Sequence, residues 1–329
     1  MSNLPAVAAA IKKSQRLLLC GHVMPDGDSL GSVLALGLGL RWLGKDVTIV
    51  SSDPIPELYQ FLPGIDTVLV GEVPQQPYDL LVAVDCSVPE RLGKALEPVL
   101  KSNLPIAVID HHVNDRPFGQ YNYVRTAAAA TGEIIMDLLD MLQVPISMEL
   151  AVNLYTAIVT DTGSFRYENT TSDTHNRAAR LLACGIPVAR LSNQIFGEQP
   201  LASLKLLEVA LGTLKVSPCG QIAWLSISQS QIKSVGACEQ HIEGLINYPR
   251  KIKGVELAIV FRELDERLVK VSFRSKYRVN VNLLAGKFGG GGHVRAAGCT
   301  VSGSLDQVQA MVLHEAQELM RGDSGGRHS

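Results

Sequence analysis

Apolar runs of strand length alternate with stretches of helical period through the first half of the chain. Leu17-Leu18-Leu19-Cys20, Val47-Thr48-Ile49-Val50, Leu80 to Val84 and Ile106 to Ile109 read as strands, and an apolar-rich helix is expected from about Leu30 to Leu43. Strands that are apolar on both sides belong in a parallel sheet covered on both faces, so this half is expected to form a doubly wound α/β domain. Helical patterns then run from Thr131 to about Gln194, with breaks expected at Thr162-Gly163 and at Gly185-Ile186-Pro187. Past Gly197-Glu198-Gln199-Pro200 the pattern changes. Val269, Val271 and Phe273 alternate with Lys270, Ser272 and Arg274 after the apolar run Leu257 to Phe261 and a polar turn, which predicts a hairpin. A last amphipathic helix is expected from Ser304 to Met320, capped by Ser304. The expected organisation is a first domain over 1–195, a linker over 196–204, a smaller mixed-sheet α/β domain over 205–322 and a disordered tail over 323–329.

Composition narrows the function classes. A chain of 329 residues with 46% hydrophobic content is long enough for two cores. Its net charge of -2 argues against coating long DNA or RNA, which requires many Lys and Arg contacts to phosphates. Six cysteines without a C-x-x-C pair suit free thiols in a reducing cytoplasm. Neither a signal peptide nor a membrane span is expected.

The chemistry concentrates at strand ends. Directly after the first strand stands Gly21-His22-Val23-Met24-Pro25-Asp26-Gly27-Asp28-Ser29, one imidazole and two carboxylates in the turn into a helix. Open α/β sheets bind ligands at such turns. The competing reading is structural, with Asp28 capping the helix and Asp26 making a turn. Asp85 ends the Leu80 to Val84 run, Asp110-His111-His112 ends the Ile106 to Ile109 run, and Asp161 sits before Thr162-Gly163-Ser164-Phe165. Carboxylates packed together repel unless cations lie between them. Mixed oxygen and imidazole donors favour manganese or a similar first-row ion over calcium, and the scarcity of Cys at these positions argues against a thiolate zinc site.

H-x-x-P-D-x-D-x-x-G-S, a strand-end Asp, D-H-H and D-T-G-S-F, in this order, resemble the four signatures of the DHH phosphoesterase superfamily, which includes RecJ nucleases and family II pyrophosphatases. The resemblance implies two divalent ions, Mn2+ first with Mg2+ or Co2+ as substitutes. One would be held by His22, Asp26, Asp85 and Asp161, the other by Asp28, Asp85, His111 and Asp161, with Asp85 and Asp161 bridging. Ions about 3.5–4 Å apart acidify a shared water and neutralise phosphoryl charge. His112 is implied to face substrate, with a role beside the metals as the alternative, and Asp110 to orient a histidine.

In the second half, Phe288-Gly289-Gly290-Gly291-Gly292-His293-Val294-Arg295-Ala296-Ala297-Gly298 leaves backbone N–H groups unshielded, as a phosphate-cradling loop requires. G-G-G-G-H-x-x-A-A-G resembles the DHH-associated domain of nanoRNase and pAp-phosphatase proteins. That resemblance implicates Arg274, Ser275, Gly291, Gly292 and His293 in holding a nucleotide end. It implies hydrolysis of oligonucleotides of two to about five nucleotides, pApA and pGpG included, and of pAp to AMP and phosphate. Short oligonucleotides and small phosphorylated nucleotides are the partners implied, without long nucleic acid or membrane, and a homodimer is compatible. The alternatives are a cyclic-dinucleotide phosphodiesterase and a nucleotide-binding regulator without catalysis; the Ser-Arg-Lys-Lys-Gln type motif of family II pyrophosphatases is missing.

Overall fold

The computed structural model describes residues 3–86, 88–113, 117–242 and 244–324, and the backbone alone for Gln240, His293 and residues 322–324. The chain divides into two compact units, Met1–Glu198 and Gln199–Ser329.

The first unit runs α1 (Leu4–Lys13), β1 (Arg16–Cys20), α2 (Gly27–Trp42), β2 (Asp46–Ser51), β3 (Val68–Val70), β4 (Leu80–Val84), α3 (Glu97–Leu100), β5 (Ile106–Asp110), β6 (Tyr121–Val124), α4 (Thr131–Met141), α5 (Met148–Asp161), α6 (Ser172–Leu182) and α7 (Val188–Ser192). Its strands form one parallel sheet in the order β3-β2-β1-β4-β5-β6. The strand order reverses between β1 and β4, so the crevice beyond their carboxyl ends is the topological switch point. One face of the sheet packs on apolar side chains of α1, α2, α4 and α5, among them Ile11, Leu34, Ile135 and Leu154. The other packs on Cys86, Leu92, Leu96 and the short segments that follow. Both faces are thereby covered, which is why β1, β4 and β5 are apolar nearly throughout.

Two edge strands, β3 and β6, escape the pattern of apolar runs because β3 is half-exposed and β6 contains Asn122. The helical stretch from Thr131 also breaks once more than expected, between Met141 and Met148, where Gln143 takes a left-handed φ of 59°.

The second unit comprises α8 (Leu201–Gly212), β7 (Lys215–Val216), β8 (Ile222–Ile227), α9 (Gln229–Ser234), α10 (Asn247–Lys251), β9 (Leu257–Asp265), β10 (Leu268–Ser275), α11 (Val281–Gly286), β11 (Gly291–His293), β12 (Ala296–Ser302) and α12 (Leu305–Ser324). Its mixed sheet has the order β11-β12-β10-β9-β8-β7, with only β8 and β9 parallel. The expected hairpin is β9–β10, and alternation turns Val269, Val271 and Phe273 into a core shared with Val308, Val312 and Ala316 of α12. Ser304 and Gln307 exchange hydrogen bonds at the start of α12. Residues 201–204 of the expected linker are helical, residues 323–324 of the expected tail continue α12, and residues 325–329 lie outside the described residues. No helix among the described residues is long and apolar enough to cross a membrane, and all six cysteines are free.

Candidate metal centre

The switch point gathers the acids and imidazoles from five places in the chain. His22 follows β1, Asp85 follows β4, Asp110 ends β5 and His111 follows it, Asp26 and Asp28 open α2, and Asp161 closes α5. Helices α2 and α5 meet closely enough to bring their acids together only because α2 carries glycines on the facing side. A Cβ at Gly27 would lie 2.5 Å from the Thr160 side chain, and one at Gly31 would lie 2.4 Å from the Asn153 carbonyl. Backbone strain does the remaining aiming. Five non-glycine residues among those described have left-handed φ, and four of them, Met24, Asp85, Ser164 and Phe165, lie in the motifs. Each costs on the order of 1–3 kcal/mol, so the surrounding packing must hold them there.

The donor atoms form three overlapping groups, His22 with Asp26 and Asp85, Asp28 with His111 and Asp161, and Asp85 with Asp110, His111 and His112, the last joining the first two through Asp85 and His111. His22 Nε2 is 3.6 Å from Asp26 Oδ2 and 3.4 Å from Asp85 Oδ2. His111 Nε2 is 3.7 Å from Asp28 Oδ2, 3.8 Å from Asp85 Oδ1 and 3.5 Å from Asp161 Oδ2. Asp85 therefore shows one oxygen to the histidine of each of the first two groups. Asp161 joins the second group directly, while the charges of Asp85 and Asp26 also bear on it.

The tautomers make a cation the fitting occupant. His22 Nδ1 lies 2.7 Å from the Val23 carbonyl and His111 Nδ1 lies 3.1 Å from the Ala128 carbonyl. A carbonyl only accepts, so both Nδ1 atoms carry hydrogen, and in the neutral rings both Nε2 lone pairs face carboxylates. His111 Nε2 is buried without a hydrogen-bond partner. Lone pairs facing anions repel, whereas donors about 2.0–2.2 Å from a shared cation stand about 3–3.5 Å apart, close to the separations found. Protons are the poorer substitute. Burial, then the charges of Asp85, Asp161 and Asp26, push Asp28 well above the usual carboxylate range. Burial pushes Asp161 up to about 6, with Asp85 and Asp26 adding to the rise and His111 opposing it. Burial opposes a charge on His22, yet the hydrogen bonds and charges of Asp26 and Asp85 raise it to about 10.

Asp110 and His112 stand beside these groups. Asp110 Oδ1 accepts from the backbone N–H groups of His111 and His112 and from His112 Nδ1 at 2.8 Å. That bond raises the His112 pKa against the opposing effect of burial. Its Nδ1 occupied, the half-exposed ring keeps Nε2 for other contacts.

The caps differ from the structural alternative read in the sequence. Asp26 is the N-cap of α2, accepting from Asp28 and Ser29 N–H. Asp28 instead caps α4, a helix more than a hundred residues away. Sequence reasoning missed Thr131, whose hydroxyl donates to Asp85 Oδ1, and Asn169, whose amide holds the carbonyls of Ala129 and Asp161. Neither stands in a strand-end acid pattern, so no local signal marks them.

In the second unit, Gly291, Gly292 and His293 are not an irregular loop but strand β11, paired with β12 from Gly298 to Ala296. Close approach explains two of the glycines: a Cβ at Gly290 would lie 2.2 Å from the Gly298 carbonyl, and one at Gly292 2.5 Å from the Ala296 carbonyl. The His293 side chain lies outside what the structure describes. Arg274 is half-buried, donates to the Phe273 carbonyl, and has no acidic ion-pair partner among the described residues. Burial and the nearby Arg250 charge lower its pKa. Ser275 is 3% exposed and its hydroxyl donates to the Val279 carbonyl at 2.6 Å. That bond ties the end of β10 to the segment that follows it.

Comparison with known proteins agrees with this geometry. The DHH family, N-terminal domain, matches residues 16–158 and the DHHA1 domain matches residues 228–322. The chain is 34% identical over 304 residues to the bifunctional oligoribonuclease and PAP phosphatase NrnA of Thermus thermophilus, covering 92% of this chain and 89% of that one. This chain belongs to the DHH phosphoesterase family. Among solved structures, this DHH-family chain shares its fold with an exopolyphosphatase-related protein from Bacteroides fragilis. The TM-score is 0.89 at 24% identity, over 97% of this chain and 95% of that one. A crystal structure of exonuclease RecJ bound to manganese matches with TM-score 0.51 at 15% identity, over 100% and 96% of the two chains.

Proposed function

We propose that this DHH-family chain is a manganese-dependent phosphoesterase that cleaves oligonucleotides of two to about five nucleotides, linear dinucleotides such as pApA and pGpG included, and converts pAp to AMP and phosphate. The observation that carries this reading is the overlap of candidate donor groups at Asp85, whose two carboxylate oxygens face His22 Nε2 and His111 Nε2. The relative named bifunctional oligoribonuclease and PAP phosphatase, similar along nearly the whole chain, supports the substrate class.

In this reading His22, Asp26, Asp85 and Asp161 hold one divalent ion and Asp28, Asp85, His111 and Asp161 the other. When bound, the ions supply an acidified water and neutralise charge on the phosphoryl group. Asp110 holds His112 by Nδ1, so that His112 Nε2 is free to donate a proton toward a phosphate or leaving oxygen. The left-handed backbone at Asp85 sets the direction in which its side chain leaves the chain before substrate arrives, which lowers the reorganisation required on binding. Arg274, Ser275, Gly291, Gly292 and His293 are assigned to the terminal phosphate or base of the substrate. A net charge of -2 suits short substrates over long polymers. The free thiols suit a cytoplasmic setting.

The test is turnover by purified protein with added Mn2+ on pApA, pGpG, pAp and cyclic dinucleotides side by side. Mononucleotide from pApA and phosphate from pAp are expected. Preference for the cyclic substrates would move the assignment to a cyclic-dinucleotide phosphodiesterase. Tight binding of pApA and pAp by Mn2+-loaded protein without turnover would make it a regulator.

A further inference from the structure

Helix α4 begins without a cap of its own, since Ala130 precedes it and supplies no side-chain acceptor. The cap comes from α2. Asp28 Oδ2 accepts the Thr131 N–H at 2.7 Å, while Asp28 Oδ1 accepts the Gly132 N–H and the Ser32 hydroxyl, both at 3.0 Å. The Thr131 side chain serves a second acid, donating from Oγ1 to Asp85 Oδ1 at 2.8 Å. Thr131 is fully buried, so water cannot take the place of its hydroxyl. One residue thus fixes two carboxylates on either side of His111 Nε2, which lies 3.7 Å from Asp28 Oδ2 and 3.8 Å from Asp85 Oδ1.

Asp85 has the harder task of the two. Its Oδ2 faces His22 and its Oδ1 faces His111, so the carboxylate plane must stay at one setting for both groups to be served. Rotation about the last side-chain bond of an aspartate is soft, and the left-handed backbone fixes the Cα–Cβ direction without fixing that rotation. A hydroxyl on Oδ1 supplies the missing constraint while leaving a second lone pair on the same oxygen for a cation. We propose that Thr131 is a positioning residue that sets the Asp85 carboxylate plane so that one side chain serves both donor groups. The inference rests on the metal-binding reading and assigns the hydroxyl, not the shape of the side chain, as the working part.

Valine keeps the branched shape without the hydroxyl, serine keeps the hydroxyl without the methyl, and alanine loses both. Mn2+ titration by calorimetry is compared for wild type, Thr131→Val, Thr131→Ser and Thr131→Ala, with circular dichroism of the metal-free proteins reporting folding. Removal of a group that orients a metal ligand costs about 10–100-fold in metal affinity. Thr131→Val and Thr131→Ala are expected to show that loss, and Thr131→Ser to stay within about threefold of wild type. At saturating Mn2+ the valine variant should lose kcat on pApA with KM little changed. If valine does not fold, the serine and alanine pair carries the comparison. Wild-type Mn2+ affinity in the hydroxyl-free variants, or an equal loss in Thr131→Ser, would overturn the role of Thr131 while leaving the metal reading intact. Failure of the wild-type protein itself to take up Mn2+ would overturn both.

Discussion

In the first unit four carboxylates and two imidazoles converge from strand ends and helix ends, and four residues of the motifs take left-handed backbone. In the second unit the residues assigned to substrate lie on the edge strand β11 and at the end of the interior strand β10, where the half-buried Arg274 side chain donates to its neighbour's carbonyl. The first arrangement accumulates repulsion that an ion relieves, whereas the second pairs a glycine-rich strand closely with its neighbour on the same sheet as a half-buried guanidinium. Strain and crowded charge belong with the ion-binding chemistry, and glycines that let strands approach belong with the second unit's sheet.

Breaking the first unit's arrangement should produce the largest effect. Asp85→Ala removes the side chain shared by both donor groups and is expected to lower kcat/KM on pApA by about a thousandfold or more, the loss of several kcal/mol of transition-state stabilisation. Removing a buried carboxylate from a crowd of carboxylates also removes repulsion, so the metal-free thermal midpoint should not fall with activity. Retained turnover would remove Asp85 from the centre of the account.

Two neighbouring glycines sharpen the contrast within the second unit. Gly292 has φ of 145° and a Cβ there would press on the Ala296 carbonyl and Ala297, so Gly292→Ala should cost about 1–3 kcal/mol of stability. A Cβ at Gly291 meets nothing nearer than Asn282 Oδ1 at 3.8 Å. Gly291→Ala should therefore leave stability nearly unchanged while raising KM if substrate approaches the backbone there. Urea denaturation and steady-state kinetics on both variants separate packing from recognition, and equal effects of the two on stability would contradict the distinction.

A smaller effect follows from pH. Asp161, at about 6, and Asp28, raised well above the usual carboxylate range, hold protons more tightly in the folded protein than in the unfolded chain, as does His22, at about 10. The stability from retaining these protons is present below the unfolded-state values. It is lost as pH rises through the folded ones, from roughly pH 4 to 6 for Asp161 and from roughly 6.5 to 10 for His22. Metal-free protein should accordingly melt lower at about pH 8 than at about pH 5.5. Mn2+, which requires deprotonated carboxylates and neutral imidazoles, should raise the melting temperature more at the higher pH. A Mn2+ effect that shrinks as pH rises would run against the account.

Much of this was legible because strand-end acids sit in short sequence patterns. His22, Asp26, Asp28, Asp85, His111 and Asp161 follow apolar runs or close a helix, and the parallel sheet places those ends together. Thr131 was not legible, since its value lies in a contact with Asp85 across 46 positions and in lending its N–H to Asp28 across 103. Nor was the exchange of caps, in which Asp28 serves a distant helix and Asp26 its own. Ser275 follows Arg274 at the end of an alternating strand, and its inward turn depends on the carbonyl of Val279. The glycine run signals backbone freedom equally for a loop and for a strand crowded against its neighbour, and only the register with β12 decides between them. Edge strands β3 and β6 escaped because half-exposed strands do not repeat the apolar runs of the sheet centre.

The most direct test of the central claim is an anomalous difference map at the manganese absorption edge from crystals grown with Mn2+. Two peaks about 3.5–4 Å apart, with Asp85 bonded to both, one near His22 and the other near His111, are predicted. A single peak, or none within reach of His111 Nε2, would contradict it.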